Sequence, residues 1–395
     1  MISYQDALTI VLETTLKFKV KGIPLSDSEG HVLAEPIVAD RDFPPFDRVC
    51  MDGISIDYSA YKEGHRNFKV ASLQAAGDPQ STLTDRLSCI EVMTGSVLPK
   101  GTTTVIPYED TENTDSYFTV PNGISDRKNI HYKGSDSVKN ATLQNGNCII
   151  SAAEIAVLAT VGCSTVKVVE PPSVAIISTG DELIDVDTDP EPHQIRKSNS
   201  YALQALLKKY RVKSNLFHLD DNYDELKKTI ADLIKNYDVL MLSGGVSKGK
   251  KDFLPQVFEE LGTEQLFHRV SQRPGKPFWF GRNGTTIIFA FPGNPVSTLS
   301  CAAVYFIPWL RKNLGITPHE EYKVRLSENV TFKPDLTYFA PAKISPGSDT
   351  LYAKVIKGNG SGDLANLLHV DGFVVLPQGS DIYMKDQLFN FIYFR

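Results

Sequence analysis

At 395 residues the chain exceeds what one ordinary hydrophobic core fills, and roughly 150 residues per domain points to about two to four domains. Hydrophobic residues make up 42% and charged residues 22%, a globular balance that excludes an extensively disordered chain. The formal net charge of −6 argues against a general affinity for nucleic acid or anionic membrane, because counterion release needs a basic face.

The chain opens on a helical pattern. Ser3 is a good N-cap with Asp6 three residues on, and Ala7, Ile10, Val11 and Thr14 recur at helical spacing. No apolar run approaches the ~20 residues needed to cross a bilayer, so a cytoplasmic protein is expected. An extended stretch then reaches Phe43-Pro44-Pro45-Phe46, closing a first region, 1–45, to which 141–170 belongs. Residues 46–140 carry short β-like runs, such as Phe68–Ser72 and Thr103–Pro107, without convincing helices, and read as a β-rich module. A short apolar helix is expected from Ala152 to Val161, packed back on the N-terminal helix.

From Pro171-Pro172 strands alternate with helices. Val174–Ser178 is an apolar run of the kind buried on both sheet faces. A helix through Ala202–Leu207, a strand near Ser214–Leu219, a helix from Asp224 to Lys235 and the strand Val239–Leu242 follow. The Gly-rich loop Ser243–Asp252 leads into a helix through Phe258 and Leu261. Strands near Phe278–Phe280 and Thr286–Phe291 precede a long helix from Pro295 to about Lys312. This order predicts a doubly wound α/β domain over 171–319, and the short segments of 320–395 predict a small C-terminal β domain.

In an open parallel sheet, ligands bind beyond the carboxyl ends of the strands. Thr179–Glu182, Asp220-Asp221, the Gly-rich loop and Pro292-Gly293-Asn294-Pro295 all fall there. Gly244, Gly245 and Gly249 let backbone amides converge on an anion, Ser247 adds a hydroxyl, and the following helix adds its positive end. Glu182, Asp220 and Asp252 are hard oxygen ligands suited to Mg2+ bridging a phosphate. Arg269, Arg273 and Lys276, around Gln272–Pro277, supply cations for an oxyanion. Five widely spaced cysteines with no CxxC, and eight scattered histidines with no HxxxH, predict reduced, mostly buried thiols and no zinc site.

Taken together, Asp47–Gly53, Met93-Thr94-Gly95, Gly134–Asp136, Ser178–Leu183, Ser243–Asp252, Pro274–Pro277 and Phe291–Ser297 resemble, in order and spacing, the MoeA family of molybdopterin molybdenumtransferases, to which the gephyrin E domain belongs. Gly360-Ser361-Gly362 and Asp371-Gly372 extend the likeness into the C-terminal domain. The resemblance implies an elongated four-domain homodimer, with 1–45 and 141–170 linking and dimerising. It implies a Mg2+-dependent insertion of molybdate into adenylylated molybdopterin, with release of AMP. Its cleft would place Asp52, Thr94 and Asp136 of one subunit opposite the α/β domain of the other, with Pro292 and Pro295 at the substrate, Arg273 and Lys276 on molybdate and Ser361 beside them. The molybdopterin adenylyltransferase is implied as a possible partner. The chain departs from the family pattern at Val49-Cys50, where Ser-Ala is usual, at His131 and Arg273, where other basic residues are usual, and at Lys197, where an acidic residue is common. An arginine-rich C-terminal segment is replaced by Pro334–Ala340. Two other readings stand beside this one: a molybdopterin adenylyltransferase, which shares the α/β domain, and a molybdopterin-binding scaffold without catalysis.

Overall fold

A computed structural model describes residues 1–114, 116–246, 253–316 and 322–395. The chain divides into two compact units. One comprises Met1–Ala34, Asn147–Ser151 and Thr165–Arg395, the other Glu35–Gly146 and Ala152–Ser164.

The first unit is organised by a six-stranded sheet of β1 (Val174–Thr179), β2 (Ser214–Leu219), β3 (Val239–Ser243), β4 (Glu264–His268), β5 (Trp279–Asn283) and β6 (Thr286–Phe291), in the order β2-β1-β3-β6-β5-β4. The first four strands of that order are parallel and the last two antiparallel. The doubly wound expectation therefore holds with an antiparallel edge added. Every residue of β1 is buried because both flanks pair and both faces are covered.

Period-two alternation sorts the strand side chains into two layers. Val174 and Ile176 join Leu203 and Leu207 of the helix Asn199–Lys208. Ala175 and Ile177 join Leu226, Ile230 and Leu233 of the helix Tyr223–Asn236. That second helix forms because Asn222 accepts the Glu225 amide at its start, Asp224 and Glu225 complement the dipole, and Lys235 ends it. Burying its three aliphatic side chains stabilises the layer by roughly 1.5–3 kcal/mol each.

The long helix expected from Pro295 is interrupted. Pro295–Cys301 is α-helical, Ala302–Phe306 is a π segment, and Ile307–Asn313 resumes the α-helix. The reason lies in Pro308, which has no N–H and whose ring crowds the preceding turn, so the ladder shifts by one residue before it. The N-terminal helix Tyr4–Glu13 packs on this segment: Trp309 Nε1 donates to the Thr14 carbonyl at 2.7 Å, and Ser3 caps the helix as its sequence predicts. The helix Ala152–Thr160 belongs to the second unit. The C-terminal strands Lys323–Leu326, Thr337–Pro346, Leu351–Val355, Gly372–Leu376 and Leu388–Tyr393 close into a five-stranded barrel.

The second unit is built on a mixed six-stranded sheet, ordered Thr104–Pro107, Gly53–Ile56, Ser88–Val92, Asn67–Gln74, Tyr117–Thr119 and Glu112–Thr114. Ile54, Ile56 and Phe68 pack on one face, and Ile90, Val92 and Val105 on the other. One short helix, Tyr58–Lys62, appears where none was expected. Asp57 caps it by accepting the Ser59 amide at 2.9 Å. The thiols also depart from expectation: all five are free, but only Cys89 and Cys301 are buried, and Cys50 is exposed. Among the described residues no helix is long and apolar enough to cross a membrane.

Candidate functional site

Strands β2, β1, β3 and β6 deliver their carboxyl ends to one edge of the first unit's sheet. A cavity of about 470 Å3 opens there, lined by Gly180 and Glu182 after β1, Asp221 after β2, Gly244 and Gly245 after β3, and Pro292–Pro295 after β6. Its wall depends on two glycines. At Gly180, φ +136°, a Cβ would stand 2.6 Å from Glu182 Oε2; at Gly244, φ +106°, it would stand 2.7 Å from Thr179 Oγ1 and 2.9 Å from the Thr179 carbonyl oxygen. Among the described residues the buried Thr179 hydroxyl has no hydrogen-bond partner.

The carboxylates divide. Glu182 and Asp221 line the cavity, whereas Asp220 Oδ1 lies 3.2 Å from His218 Nε2. Asp252, Ser247 and Gly249 lie outside the described residues. Among the described residues no group of three or more His, Cys, Asp and Glu is placed to hold a metal by itself. Two hard carboxylates fit a magnesium ion that takes its remaining ligands from phosphate and water, which is its usual preference. Lys197, 12% exposed, also lines the cavity. It pairs with Asp185 at 2.6 Å and holds that carboxyl below the usual range.

The loops around the cavity are tied together by a residue the sequence did not single out. Asn199 Nδ2 donates to Ser243 Oγ at 2.8 Å and to the Gly293 carbonyl at 2.6 Å, spanning the ends of β3 and β6. Thr298 Oγ1 donates to the Pro292 carbonyl at 2.7 Å. At the root of the Gly-rich loop, His268 Nε2 donates to the Val246 carbonyl at 3.2 Å, and burial lowers the pKa of this imidazole.

A second pocket, of about 230 Å3, is lined by Arg273, Lys357, Tyr338, Ser361 and Asn366, among others. Among the described residues no ion pair or side-chain hydrogen bond engages Arg273 or Lys357, so two cations face one small space. The two pockets share a wall: Asn294 Nδ2 donates to Ser361 Oγ at 2.9 Å, and the Val296 amide to the Ser361 carbonyl at 3.1 Å. The Arg273–Lys276 turn is fixed from beneath. Buried Gln272 donates to the Pro274 carbonyl at 3.2 Å and accepts from the Tyr305 hydroxyl, which the π segment presents. Burial raises the Tyr305 pKa well above its ordinary value, so the phenol stays a donor. At Gly275, φ +92°, a side chain would strike Cys301 Sγ. Lys276 is exposed and stands between Pro274 of the smaller pocket and Pro277 of the larger. Arg269 lines neither pocket; its backbone, at φ +71°, bonds Ile2 and Phe278.

In the second unit, Asp52 Oδ1 accepts from the Thr94 amide at 2.6 Å and the Thr94 hydroxyl at 2.8 Å. The amide first and the hydroxyl second hold its carboxyl below the ordinary value. Asp136 Oδ1 accepts from His131 Nε2 at 2.7 Å.

Family models match this architecture along nearly the whole chain. Residues 2–162 match the MoeA N-terminal region (domain I and II), 175–312 a probable molybdopterin binding domain, and 323–393 the MoeA C-terminal region (domain IV). A Synechocystis molybdopterin molybdenumtransferase is 37% identical over 397 residues, covering 99% of each chain. The chain belongs to the MoeA family. The Staphylococcus epidermidis molybdopterin molybdenumtransferase is 28% identical, covering 96% of this chain and 92% of its own. The molybdopterin biosynthesis MoeA protein of Pyrococcus horikoshii superposes with a TM-score of 0.85 at 26% identity, covering both chains completely. The MoeA likeness thus extends through the second unit and the barrel, beyond the α/β domain that the adenylyltransferase reading relied on. The chain is an enzyme of molybdenum cofactor biosynthesis.

Proposed function

We propose that this MoeA-family enzyme inserts molybdate into adenylylated molybdopterin with release of AMP, in a Mg2+-dependent reaction. The observation that carries the reading is the shared wall between the two pockets, where Asn294 bonds Ser361. A ligand-sized cavity lined by Gly244, Gly245 and carboxylates, in which the Gly244 amide itself donates to the Phe291 carbonyl at 3.1 Å, adjoins a smaller one with hydroxyls and two cations that no described residue pairs. Such a pair suits a nucleotide-bearing pterin and a small oxyanion held side by side.

In this reading Gly244 and Gly245, with Ser247 and Gly249, cradle the pyrophosphate, while Pro292 and Pro295 shape the opposite wall. Glu182 and Asp221, with Asp252 and the neighbouring Asp220, hold the magnesium ion. Bound there, the ion would neutralise phosphate charge and polarise the phosphorus. Arg273 and Lys357 hold molybdate, Ser361 donates to it because its oxygen already accepts from Asn294, and Lys276 and Arg269 add positive field. Lys357 thereby stands in for the arginine that Pro334–Ala340 lacks. Asp52, Thr94 and Asp136 act in the cleft of a homodimer, contributed by the partner subunit, and the molybdopterin adenylyltransferase delivers the substrate. Five free thiols suit the reducing cytoplasm.

The test is AMP release from adenylylated molybdopterin, with and without Mg2+ and molybdate. Wild-type protein is expected to require both, and Glu182→Gln and Asp252→Ala to lose turnover while keeping the oligomeric state. Full turnover in either variant contradicts the assignment.

A further inference from the structure

We infer that Arg48 and His131 are positioning residues that form a directed relay onto Asp136; the functional part of this inference rests on the cleft role given to Asp136 above. His131 and Arg48 face each other across a short antiparallel pairing, Ile130–His131 against Arg48–Val49. Arg48 Nη2 stands 2.8 Å from His131 Nδ1, and His131 Nε2 stands 2.7 Å from Asp136 Oδ1. The direction of both bonds is fixed by chemistry. A guanidinium has donors only, so Nδ1 must accept. The imidazole is therefore neutral, its one proton is on Nε2, and Nε2–H donates to Asp136.

The carboxylate is aimed as a consequence. The Asp136 amide donates to the Phe43 carbonyl at 2.9 Å, and the Gly134 amide to the Pro44 carbonyl at 3.0 Å, so the loop backbone is already held. His131 and, at 3.4 Å, Ser135 both reach Oδ1. No hydrogen bond from the described residues reaches Oδ2, which stays open to substrate.

A purely stabilising contact would have a different form. Arg48 would gain most by a bidentate pair with a carboxylate, yet it is spent on an imidazole nitrogen. The Asp136 side chain is 57% exposed, where a simple ion pair contributes little to stability. What the relay fixes is a tautomer and a direction.

The test uses full-length protein labelled with 15N-histidine, read by two-bond proton–nitrogen correlation at pH 8, with His131→Gln assigning the signal. Wild type is expected to show only the Nε2–H tautomer at His131, and Arg48→Met a mixture. A wild-type Nδ1–H tautomer or doubly protonated ring overturns the relay. In AMP release, Arg48→Met and His131→Leu are expected to lower kcat by about tenfold to a hundredfold, as small misplacements of a reacting group do, with KM and melting temperature near wild type. His131→Gln, whose amide N–H can still reach Asp136, should recover most of it. Unchanged kcat in His131→Leu, or no recovery in His131→Gln, overturns the positioning role. If wild type releases no AMP, the parent reading fails, while the nitrogen spectrum still decides the relay.

Discussion

Gly244→Ala is the sharpest perturbation of the larger cavity, and Gly262→Ala is its natural control. Both glycines have positive φ, +106° and +70°, so both variants bear the left-handed cost of about 1–2 kcal/mol. They differ in surroundings. A Cβ at Gly262 meets nothing within 4 Å, whereas at Gly244 it meets Thr179 Oγ1 at 2.7 Å and the Thr179 carbonyl oxygen at 2.9 Å. The hydroxyl can rotate, but the carbonyl cannot retreat, because Thr179 ends a strand paired on both sides. Overpacking against a fixed group costs a further 1–3 kcal/mol or so. Gly244→Ala should therefore be less stable than Gly262→Ala by about that amount, and should weaken adenylylated molybdopterin binding at least tenfold where Gly262→Ala leaves it unchanged. Urea unfolding followed by tryptophan fluorescence reads the right unit, since both tryptophans, Trp279 and Trp309, are buried in it. Equal stability and equal binding in the two variants would refute the argument that the loop approaches β1 this closely.

Asn199→Ala removes two hydrogen bonds at about 1 kcal/mol each, and should cost about 2 kcal/mol in urea along with a loss of nucleotide affinity; unaltered affinity would show that the β3–β6 clamp does not shape the site. Gln272→Leu strands the buried Tyr305 hydroxyl and should cost about 1–3 kcal/mol, whereas adding Tyr305→Phe should restore much of it; additive losses in that cycle would contradict the pairing. Thr94→Val keeps the amide bond to Asp52 but deletes the hydroxyl, so the Asp52 pKa should rise part of the way back, read by carboxyl NMR titration. Because the folded pKa is depressed, its stabilising contribution is present above the unfolded carboxylate value and fades as pH falls through the lowered one. An Asp52 titration identical in Thr94→Val and wild type rules out the hydroxyl's part.

Much of the α/β layer was legible in the sequence because burial on both faces leaves an unbroken apolar run, as in Val174–Ile177, and the N-terminal helix was legible because a cap such as Ser3 acts locally. The sheet edge that collects Glu182, Gly244 and Pro292 followed from the alternation of strands and helices alone. What stayed hidden depends on contacts between distant segments. Ser198-Asn199 reads as an ordinary helix start, yet Ser198 makes no cap bond and Asn199 reaches across to Gly293. Lys357 sits in no motif and enters the second pocket only because the barrel brings its strand ends beside Arg273. Asp220 and Asp221 are chemically identical neighbours; which one faces the cavity depends on the direction of the chain leaving β2. The π segment needed the position of Pro308 to be weighed against an otherwise continuous helical pattern. Arg48 lay inside a recognised motif, but only the pairing of its strand with His131 reveals what it touches.

The most direct test of the account is a single turnover in which AMP released and molybdenum bound as pterin complex are counted together, with adenylylated molybdopterin, molybdate and Mg2+. Two adjoining pockets acting on two halves of one reaction predict one molybdenum inserted for each AMP released, with both lost together in an Arg273→Met, Lys357→Met double variant. AMP release in that variant at the wild-type rate, or release in wild type without molybdenum insertion, would contradict it.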